Sequence, residues 1–327
     1  MSLTPETVDA LPPQLERFAR KLIKRGSKSF SGASRMFGNE LRNSASLLYA
    51  WCRHCDDVVD DQILGQGEAG SSDAIETRLA TLSLQTREAI DGNPNGEAFE
   101  ALAWVVKAHE IPARYPLELL EGFAMDARDH HYETIDDTLL YSYHVAGVVG
   151  VMMAMIMGTR HTATLQRACD LGIAFQLTNI ARDVIEDAGR ERIYLPAAWL
   201  REAGIEATPE AILDSANHEA VYSVVLRLLD TADAYYRSAR YGLQRLPFRC
   251  ACAIGAARVI YRDIGNIIRG SGAAILNHRA VVSKRRKYLD AFLGVSTACR
   301  AYSIDRMRNE PPRAGLWTHT GLRDAAM

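Results

Sequence analysis

The chain has 327 residues, of which 24% are charged and 48% hydrophobic, and it carries a formal net charge of −2. This charge balance argues against both a nucleic-acid-binding protein and a disordered, solvated chain, and the hydrophobic fraction can supply a sizeable core. The 11 prolines leave four uninterrupted spans: 14–93, 117–195, 210–246 and 248–310. Because proline breaks helix interiors and cannot pair in a central strand, these spans are free to form long regular elements.

The N-terminal residues have no basic segment followed by an apolar one, so they do not resemble a secretory signal, and we expect a cytoplasmic protein. Six cysteines are too few for a disulfide scaffold in a chain of this length. Cys52 and Cys55 have the spacing of zinc ligands, but Cys250 and Cys252 lack the second two-residue gap of a zinc ribbon. We therefore expect buried thiols rather than a metal or redox site.

The first strong helical pattern lies between residues 41 and 55 and continues into a run of acids. Its apolar positions are Leu41, Leu47, Leu48, Trp51, Cys52 and Cys55. The first acidic cluster, Asp56, Asp57, Asp60 and Asp61, follows, and residues four apart in it share a helix face at about 5–6 Å between Cβ atoms. We expect the helix to end by Gly65, so these carboxylates crowd a C-terminus where the helix dipole disfavours anions.

The middle of the chain alternates loops with helical segments. Residues 65–73 and 91–96 predict surface loops, and Pro112 and Pro116 mark a break. The pair Asp136–Asp137 predicts the capped start of the next helix.

An apolar run, Val145–Met157, follows that start and is shorter than the roughly 20 residues needed to cross a bilayer, which predicts a buried core helix. Small residues recur every fourth position at Ala146, Gly150, Ala154 and Gly158. This ridge predicts either close packing against another helix or room for a long apolar ligand, and the sequence leaves both interpretations open.

A further helix carries a second acidic cluster, which we define as Asn179, Asp183 and Asp187 together with Glu186. The helix itself is predicted by the spacing of Leu165, Cys169, Gly172, Ile173, Gln176, Ile180 and Val184. Each four-residue step turns a helix by about 40°, so the first three members of the cluster share one face over about 12 Å. Gly189 follows at once, so these acids also crowd a helix C-terminus.

A single acidic run is ordinarily a solvated surface, but two clusters with the same spacing and the same unfavourable placement point to a shared cause. A divalent cation would relieve both, and an all-oxygen ligand set suits Mg²⁺ or Mn²⁺. Since Mg²⁺ is typically bound by one or two carboxylates together with substrate phosphates, two facing clusters predict a diphosphate ligand between them.

The sequence contains no alternating strand pattern, fixed repeat or glycine-rich phosphate loop, which predicts an all-α protein. We expect one helical domain over 1–308 and a mobile tail over 309–327. The basic run Lys284–Lys287 is typical of a solvated helical face, with attraction to anionic lipid as the weaker alternative.

At the two acidic clusters the sequence resembles the head-to-head prenyl synthases, which are the squalene and phytoene synthase family. Within that family it resembles most the bacterial phytoene synthases. Residues 56–60 match the first aspartate motif of the family and residues 179–187 match the second. The other matching segments are 27–30, 141–147 and 190–196, and the resemblance runs from about residue 18 to about residue 295.

The resemblance implies a single isoprenoid-synthase-type helical bundle around a deep central cavity. It implies a prenyltransferase that joins two geranylgeranyl diphosphates through a cyclopropylcarbinyl diphosphate to give phytoene, the first committed step of carotenoid biosynthesis. Mg²⁺ or Mn²⁺ would be needed and no nicotinamide cofactor. The alternative within the family is a dehydrosqualene or squalene-type synthase acting on two farnesyl diphosphates.

The resemblance also assigns roles to residues. The implied metal ligands are Asp56, Asp60, Asn179, Asp183 and Asp187, and the four aspartates count as catalytic. The residues implied to bind the diphosphates or line the cavity are Ser27, Lys28, Ser29, Phe30, Tyr49, Arg53, Gln176, Arg182, Tyr261 and Arg279. Tyr141 would lie beside the reacting carbons.

The expected partners are prenyl diphosphates, with no nucleic acid and with contact to a membrane or to downstream carotenoid enzymes as further expectations. A hypothesis from another class is a non-catalytic helical relative that serves in assembly or lipid binding. Such a protein could lose the motif carboxylates without losing its fold, whereas here they are all present. In a non-catalytic relative, Tyr49, Tyr141 and Tyr261 would be ordinary core residues and Arg53 would pair with a neighbouring aspartate.

Overall fold

The computed structural model describes residues 11–25, 36–59, 72–128, 130–307 and 310–319. Within these ranges the chain forms helices and no strand, which confirms the all-α prediction. The α-helices in chain order are α1 (Pro13–Arg25), α2 (Asn39–Val59), α3 (Ser72–Ile90), α4 (Glu97–Ala108), α5 (Arg114–Ala127), α6 (Ile135–Ser142), α7 (Val148–Ile156), α8 (Thr162–Ala188), α9 (Ala197–Glu202), α10 (Pro209–Leu213), α11 (His218–Ala239), α12 (Phe248–Ser271) and α13 (Lys284–Ser303). A π-helical turn, Tyr143–Gly147, joins α6 to α7, and 3₁₀ turns occupy Ser215–Asn217, Arg240–Arg245, Ala273–Asn277 and Asp305–Met307.

Four of the prolines lie at or directly before helix starts, where a missing backbone N–H costs nothing. Pro13 and Pro209 are the first residues of α1 and α10, while Pro196 and Pro247 immediately precede α9 and α12. The long helices α2, α8, α11 and α12 therefore lie within the proline-free spans. The loop predicted at 91–96 is present, whereas α3 begins at Ser72, within the predicted loop 65–73.

Helix α2 follows the predicted apolar stripe. Leu47, Leu48, Trp51 and Cys55 are buried, and the helix packs against α1 and α4. The main hydrophobic cluster draws on residues from Leu15 to Val282, which is consistent with the one-domain prediction.

Helices α6 and α7 form one continuous helical segment, Ile135–Ile156, of 22 residues. The backbone N–H of Thr134 donates to the Asp137 carboxylate at 2.7 Å, so the predicted cap is present. The segment is long and apolar enough to cross a membrane, yet 67% of its apolar window is buried inside the bundle. The prediction that 145–157 forms a buried core helix is therefore confirmed, although the helical segment is longer than the apolar run from which it was predicted.

The ridge of small residues brings two backbones together. A Cβ atom added to Gly150 would lie 2.4 Å from the Ala168 carbonyl oxygen, and one added to Gly172 would lie 2.2 Å from the Ala146 carbonyl oxygen. Of the two interpretations, close helix packing is therefore the correct one at Ala146 and Gly150. The contact fixes α8 against α7, and α8 also packs against α11 and α12.

The described part of the predicted tail, residues 310–319, packs on the bundle rather than extending from it. Arg313 donates through Nε to the fully buried Asp170 carboxylate at 2.8 Å. The His319 ring stacks on Tyr143 with 4.2 Å between ring centroids. The mobile tail over 309–327 is predicted from the loss of helical periodicity. That loss indicates only that the segment is not a helix, and it does not reveal the contacts of Arg313 and His319.

Candidate active site

The described members of the first acidic cluster, Asp56 and Asp57, lie in the last turn of α2, with an arginine one turn before them. Arg53 places Nη1 2.9 Å from Asp56 Oδ2 and Nη2 2.6 Å from Asp57 Oδ1. The helix is described through Val59, so Asp60 and Asp61 lie outside the described residues. Arg53 thus neutralises carboxylates of its own helix, at the i+3 and i+4 positions.

The second acidic cluster lies in the last turns of α8, which ends at Ala188 as predicted. Burial, followed by the carboxylates of Asp183 and Glu186, raises the pKa of the Asp187 carboxyl to about 7 against the opposing effects of Arg192 and Arg190. The ionised form of Asp187 is therefore costly in the absence of a nearby cation.

A neighbouring oxygen on the same face has no hydrogen-bond partner. Asn179 Oδ1 is buried without a donor among the described residues, while its Nδ2 donates weakly to Gln176 Oε1 at 3.4 Å. A buried acceptor left unpaired is costly unless a ligand completes it. The unpaired amide oxygen of Asn179 lies one turn from the Asp183 carboxylate and two turns from the Asp187 carboxylate. Together they form an all-oxygen ligand set of the kind that Mg²⁺ or Mn²⁺ binds, so these residues fit the predicted metal.

Two arginines contact Asp183. Arg182 donates through Nε to Asp183 Oδ1 at 2.8 Å, and Arg279 approaches the same oxygen through Nε at 3.3 Å. Arg279 follows the 3₁₀ turn Ala273–Asn277, far from α8 in the chain. The fold therefore brings Arg279 to the second acidic cluster, and arginines balance charge at both clusters.

Tyr261 links the second cluster to α2. Its ring stacks on Phe175 with 4.2 Å between centroids. Burial raises its pKa, Arg182 opposes that rise, and the phenol of Tyr49 on α2 is close enough to raise the pKa further. Tyr49 also interacts electrostatically with Arg53. Tyr49 and Tyr261 thus link Arg53 of the first cluster to Arg182 of the second through a series of electrostatic interactions.

Tyr141 belongs to a buried aromatic group around one carboxylate. The hydroxyls of Tyr141 and Tyr194 donate to the two oxygens of Asp126, each at 2.9 Å. The Tyr141 and Tyr194 rings stack at 4.7 Å between centroids, and Tyr132 meets Tyr141 edge-on at 5.5 Å. Burial, followed by Asp126, raises the pKa of Tyr141 well above its ordinary value, so the phenol stays protonated.

This aromatic group borders the second acidic cluster. The Asp187 carboxylate helps to raise the pKa of Tyr194, although burial contributes more. Asp126, Tyr132, Arg192 and Tyr194 line a pocket of about 160 Å³. The arrangement combines acidic, basic and aromatic groups at one end of α8, as the chemistry of an anionic leaving group and a carbocation requires.

Comparison with known proteins identifies the family. The model of the squalene/phytoene synthase family matches residues 23–286. The chain belongs to the squalene/phytoene synthase family. It is 48% identical to a 15-cis-phytoene synthase of Enterobacter agglomerans, over 89% of this chain and 98% of that protein. It is 46% identical to a 15-cis-phytoene synthase of Pantoea ananas, over 93% of this chain and 98% of that protein.

Solved structures of this family share the fold. A dehydrosqualene synthase in complex with a ligand superposes with a TM-score of 0.77 at 26% identity, covering 88% of this chain and 98% of that chain. A squalene synthase from Alicyclobacillus acidocaldarius gives 0.71 at 26% identity, covering 80% and 97%. The isoprenoid-synthase fold and the family resemblance are therefore confirmed.

The assigned site residues of this squalene/phytoene synthase family member divide into three groups, and one of these is Tyr141 in the aromatic group around Asp126. The structure brings together Gln176, Asn179, Arg182, Asp183, Asp187, Tyr261 and Arg279. Tyr261 interacts electrostatically with Tyr49 on α2, the helix that also carries Arg53 and Asp56. Ser27, Lys28, Ser29, Phe30 and Asp60 lie outside the described residues. Within the part of the chain that the structure describes, no three His, Cys, Asp or Glu side chains converge as a metal-binding group, so the ligand set stays a prediction.

Sequence reasoning missed three residues of the aromatic group, Asp126, Tyr132 and Tyr194. Asp126 directly follows the stretch Phe123–Met125 at the end of α5, and because Glu118 and Glu121 lie on the same helix its position in the sequence does not set it apart. Tyr194 lies in the matching segment 190–196 but received no role there. Of the six cysteines expected to be buried thiols, Cys55, Cys169, Cys250 and Cys252 are buried, whereas Cys52 is half-buried and Cys299 is exposed, so the expectation is wrong for Cys299. Burial raises the pKa of Cys55 well above its ordinary value.

Proposed function

We propose that the protein is a phytoene synthase that joins two geranylgeranyl diphosphates head to head through a cyclopropylcarbinyl diphosphate. One observation carries the assignment: the relatives at 46–48% identity, matched over about nine-tenths of this chain, are named phytoene synthases. The squalene-type alternative has less support, since the dehydrosqualene synthase structure is only 26% identical.

A bound Mg²⁺ or Mn²⁺ supplies Lewis-acid neutralisation of the charge on a diphosphate leaving group. Asn179, Asp183 and Asp187 would hold such an ion at the second acidic cluster, and Asp56 with Asp60 would hold one at the first. The support is the orphaned Asn179 Oδ1 and the raised pKa of Asp187, both of which call for a cation.

The arginines hold the diphosphate. Arg53, Arg182 and Arg279 each contact a motif carboxylate, and each guanidinium has further N–H groups to donate to phosphate oxygens. Lys28, with Ser27 and Ser29, completes this anion-binding set in the family assignment.

The aromatic residues protect the cation. Tyr141 presents a ring face to the allylic cation while Asp126 and the stacked Tyr194 fix its orientation. The stacked pair of Tyr261 and Phe175 excludes water on the other side. The Tyr141 hydroxyl and the Asp126 carboxylate are hydrogen-bonded to each other, so neither serves as the base. The diphosphate released in the reaction therefore removes the final proton.

Product analysis tests the function. Purified protein is incubated with geranylgeranyl or farnesyl diphosphate, Mg²⁺ and either NADPH or none, and the hydrocarbon is identified by mass spectrometry. We expect a C40 hydrocarbon from the C20 substrate without NADPH, and loss of product in EDTA that Mg²⁺ or Mn²⁺ restores. A C30 product alone would replace the proposal with the farnesyl alternative, and no product from either substrate would contradict the enzyme assignment.

A matched pair of variants tests the role of Tyr141. Tyr141→Phe keeps the ring but removes the hydroxyl that Asp126 accepts, and we expect kcat to fall by about 10–100-fold with little change in KM. Tyr143→Phe is the control, because its hydroxyl donates instead to Glu118 and it stacks on His319. Equal losses in both variants would reduce Tyr141 to a core tyrosine.

The cellular setting belongs to the same proposal. We place the protein in the cytoplasm, in contact with its lipid-soluble substrates at a membrane surface and with downstream carotenoid enzymes that consume the product. The expected greasiness of a C40 hydrocarbon supports such contact, since it has little solubility in water.

A further inference from the structure

The outward face of α13 is apolar. Tyr288 and Phe292 are 80% and 71% exposed, and Leu289 and Leu293 are 58% and 45% exposed. The opposite face, which includes Gly294, packs against α12. Surface helices normally turn their apolar residues toward the core, so this exposed set, which we name the α13 apolar patch, requires a partner of its own.

Basic side chains lie one helical turn before the patch. Lys284 and Arg285 are exposed and stand four residues before Tyr288 and Leu289, so they share the outward face. Arg286 points elsewhere, because its Nη2 donates to Asp263 Oδ1 at 2.6 Å. The outward side of α13 therefore combines two cationic side chains with four large apolar ones.

We propose that the α13 apolar patch docks on the surface of a lipid bilayer that contains anionic lipids, with α13 lying in the interface. Aromatic and leucine side chains insert below the headgroups, and lysine and arginine bind the anionic headgroups above them. The long side chains of Lys284 and Arg285 can reach headgroup level while the apolar residues of the next turn are buried. This charge complementarity favours an anionic membrane over a neutral apolar protein surface.

The patch lies close in the chain to the candidate active site. Arg279, which contacts Asp183, is five residues before Lys284, and the N-terminal end of α13 also pairs with α12 through Arg286 and Asp263. Docking through α13 places that edge of the site near the bilayer. This last step rests on the proposed function, because only a lipid substrate or product would gain from it.

Vesicle flotation tests the docking surface. The full chain is mixed with vesicles of phosphatidylcholine alone or of phosphatidylcholine with phosphatidylglycerol, and we expect flotation with the anionic vesicles that weakens as salt is added. The double variant Tyr288→Ser/Phe292→Ser should lower the bound fraction at limiting lipid by at least about tenfold. The double variant Lys284→Gln/Arg285→Gln should lower binding by about tenfold on anionic vesicles and little on neutral ones.

Two controls match these variants in exposure. Leu84 on α3 is 58% exposed, like Leu289, and Leu84→Ser should bind vesicles as the wild type does. Arg17 and Lys21 are exposed on α1, and Arg17→Gln/Lys21→Gln should also leave binding unchanged. Circular dichroism and the melting temperature of each variant check that the fold is intact.

Several results would overturn the proposal: no flotation of the wild type, equal flotation of the Tyr288→Ser/Phe292→Ser variant, or a dimer in solution that this variant dissolves while vesicles bind nothing. Hydrocarbon formation in detergent separates this proposal from the proposed function. Patch variants should retain that activity, and an inactive wild type that still floats would contradict the proposed function alone.

Discussion

The two acidic clusters differ in how their charge is balanced. In the first, Arg53 contacts Asp56 and Asp57 one turn further along the same helix. In the second, one charge partner comes from a distant segment, since Arg279 lies 96 residues beyond Asp183 in the chain. The second cluster also contains a carboxyl whose pKa is raised to about 7 and an unpaired amide oxygen.

The first cluster is balanced by contacts within one helix, whereas the second also depends on a contact between segments that are distant in the chain. The ion pairs of the first cluster form whenever α2 forms, so part of its negative charge is balanced before any ligand arrives. The second cluster is held together by packing and remains electrostatically strained, because burial opposes the charge of Asp187. A bound cation therefore contributes more at the second cluster than at the first.

The largest expected effect is loss of turnover on Asp183→Asn. This change removes the carboxylate that Arg182 and Arg279 both contact, together with a predicted metal ligand. We expect kcat/KM for hydrocarbon formation to fall by at least about a thousandfold. Glu186→Gln is the control, since Glu186 lies on the same turn but is 45% exposed, and it should retain activity within about threefold. Activity of Asp183→Asn within tenfold of the wild type would remove the second cluster from the mechanism.

The next effect tests the packing that positions the second cluster. Gly172→Ala would place a Cβ atom 2.2 Å from the Ala146 carbonyl oxygen, so α8 must move away from α7. We expect about 3 kcal/mol of lost stability in guanidinium unfolding, with reduced activity. Gly270→Ala meets nothing within 4 Å and should leave stability unchanged or raise it by up to about 1 kcal/mol. Equal stability of the two variants would contradict the close contact of α7 and α8.

The same contrast explains what the sequence predicts well. Spacing within one helix placed Asp183 and Asp187 on one face near the end of α8, because that relation depends on helix geometry alone. The hydrogen bonds of Tyr141 and Tyr194 to Asp126 join three separate segments, and no local pattern encodes such a meeting. The packed segment 310–319 was missed for the same reason, since the partner of Arg313 is Asp170, 143 residues earlier.

A smaller effect concerns pH and the metal-free protein. Asp187 has a pKa of about 7 when folded and about 3.9 when unfolded. The folded state therefore binds this proton more tightly, and the penalty is absent below about pH 4, grows toward pH 7 and is complete above it. Asp187→Asn removes the penalty, so in EDTA its stability advantage over the wild type should grow by about 2–4 kcal/mol from pH 5 to pH 8. Guanidinium unfolding of both proteins at the two pH values measures it, and a constant difference would contradict the strain assigned to this cluster.

The smallest effect is expected at the first cluster. Arg53 is 30% exposed and Asp56 41% exposed, and ion pairs of this kind within one helix contribute less than about 1 kcal/mol. Arg53→Gln should therefore unfold at nearly the wild-type guanidinium concentration, while KM for the diphosphate rises because a phosphate donor is lost. The free energy of unfolding and KM must both be measured. A stability loss above about 2 kcal/mol would mean that the first cluster is buried enough to need Arg53 as a structural counter-charge. An unchanged KM with unchanged stability would instead leave Arg53 a surface partner of its own helix, and diphosphate binding would then fall to the arginines at the second cluster.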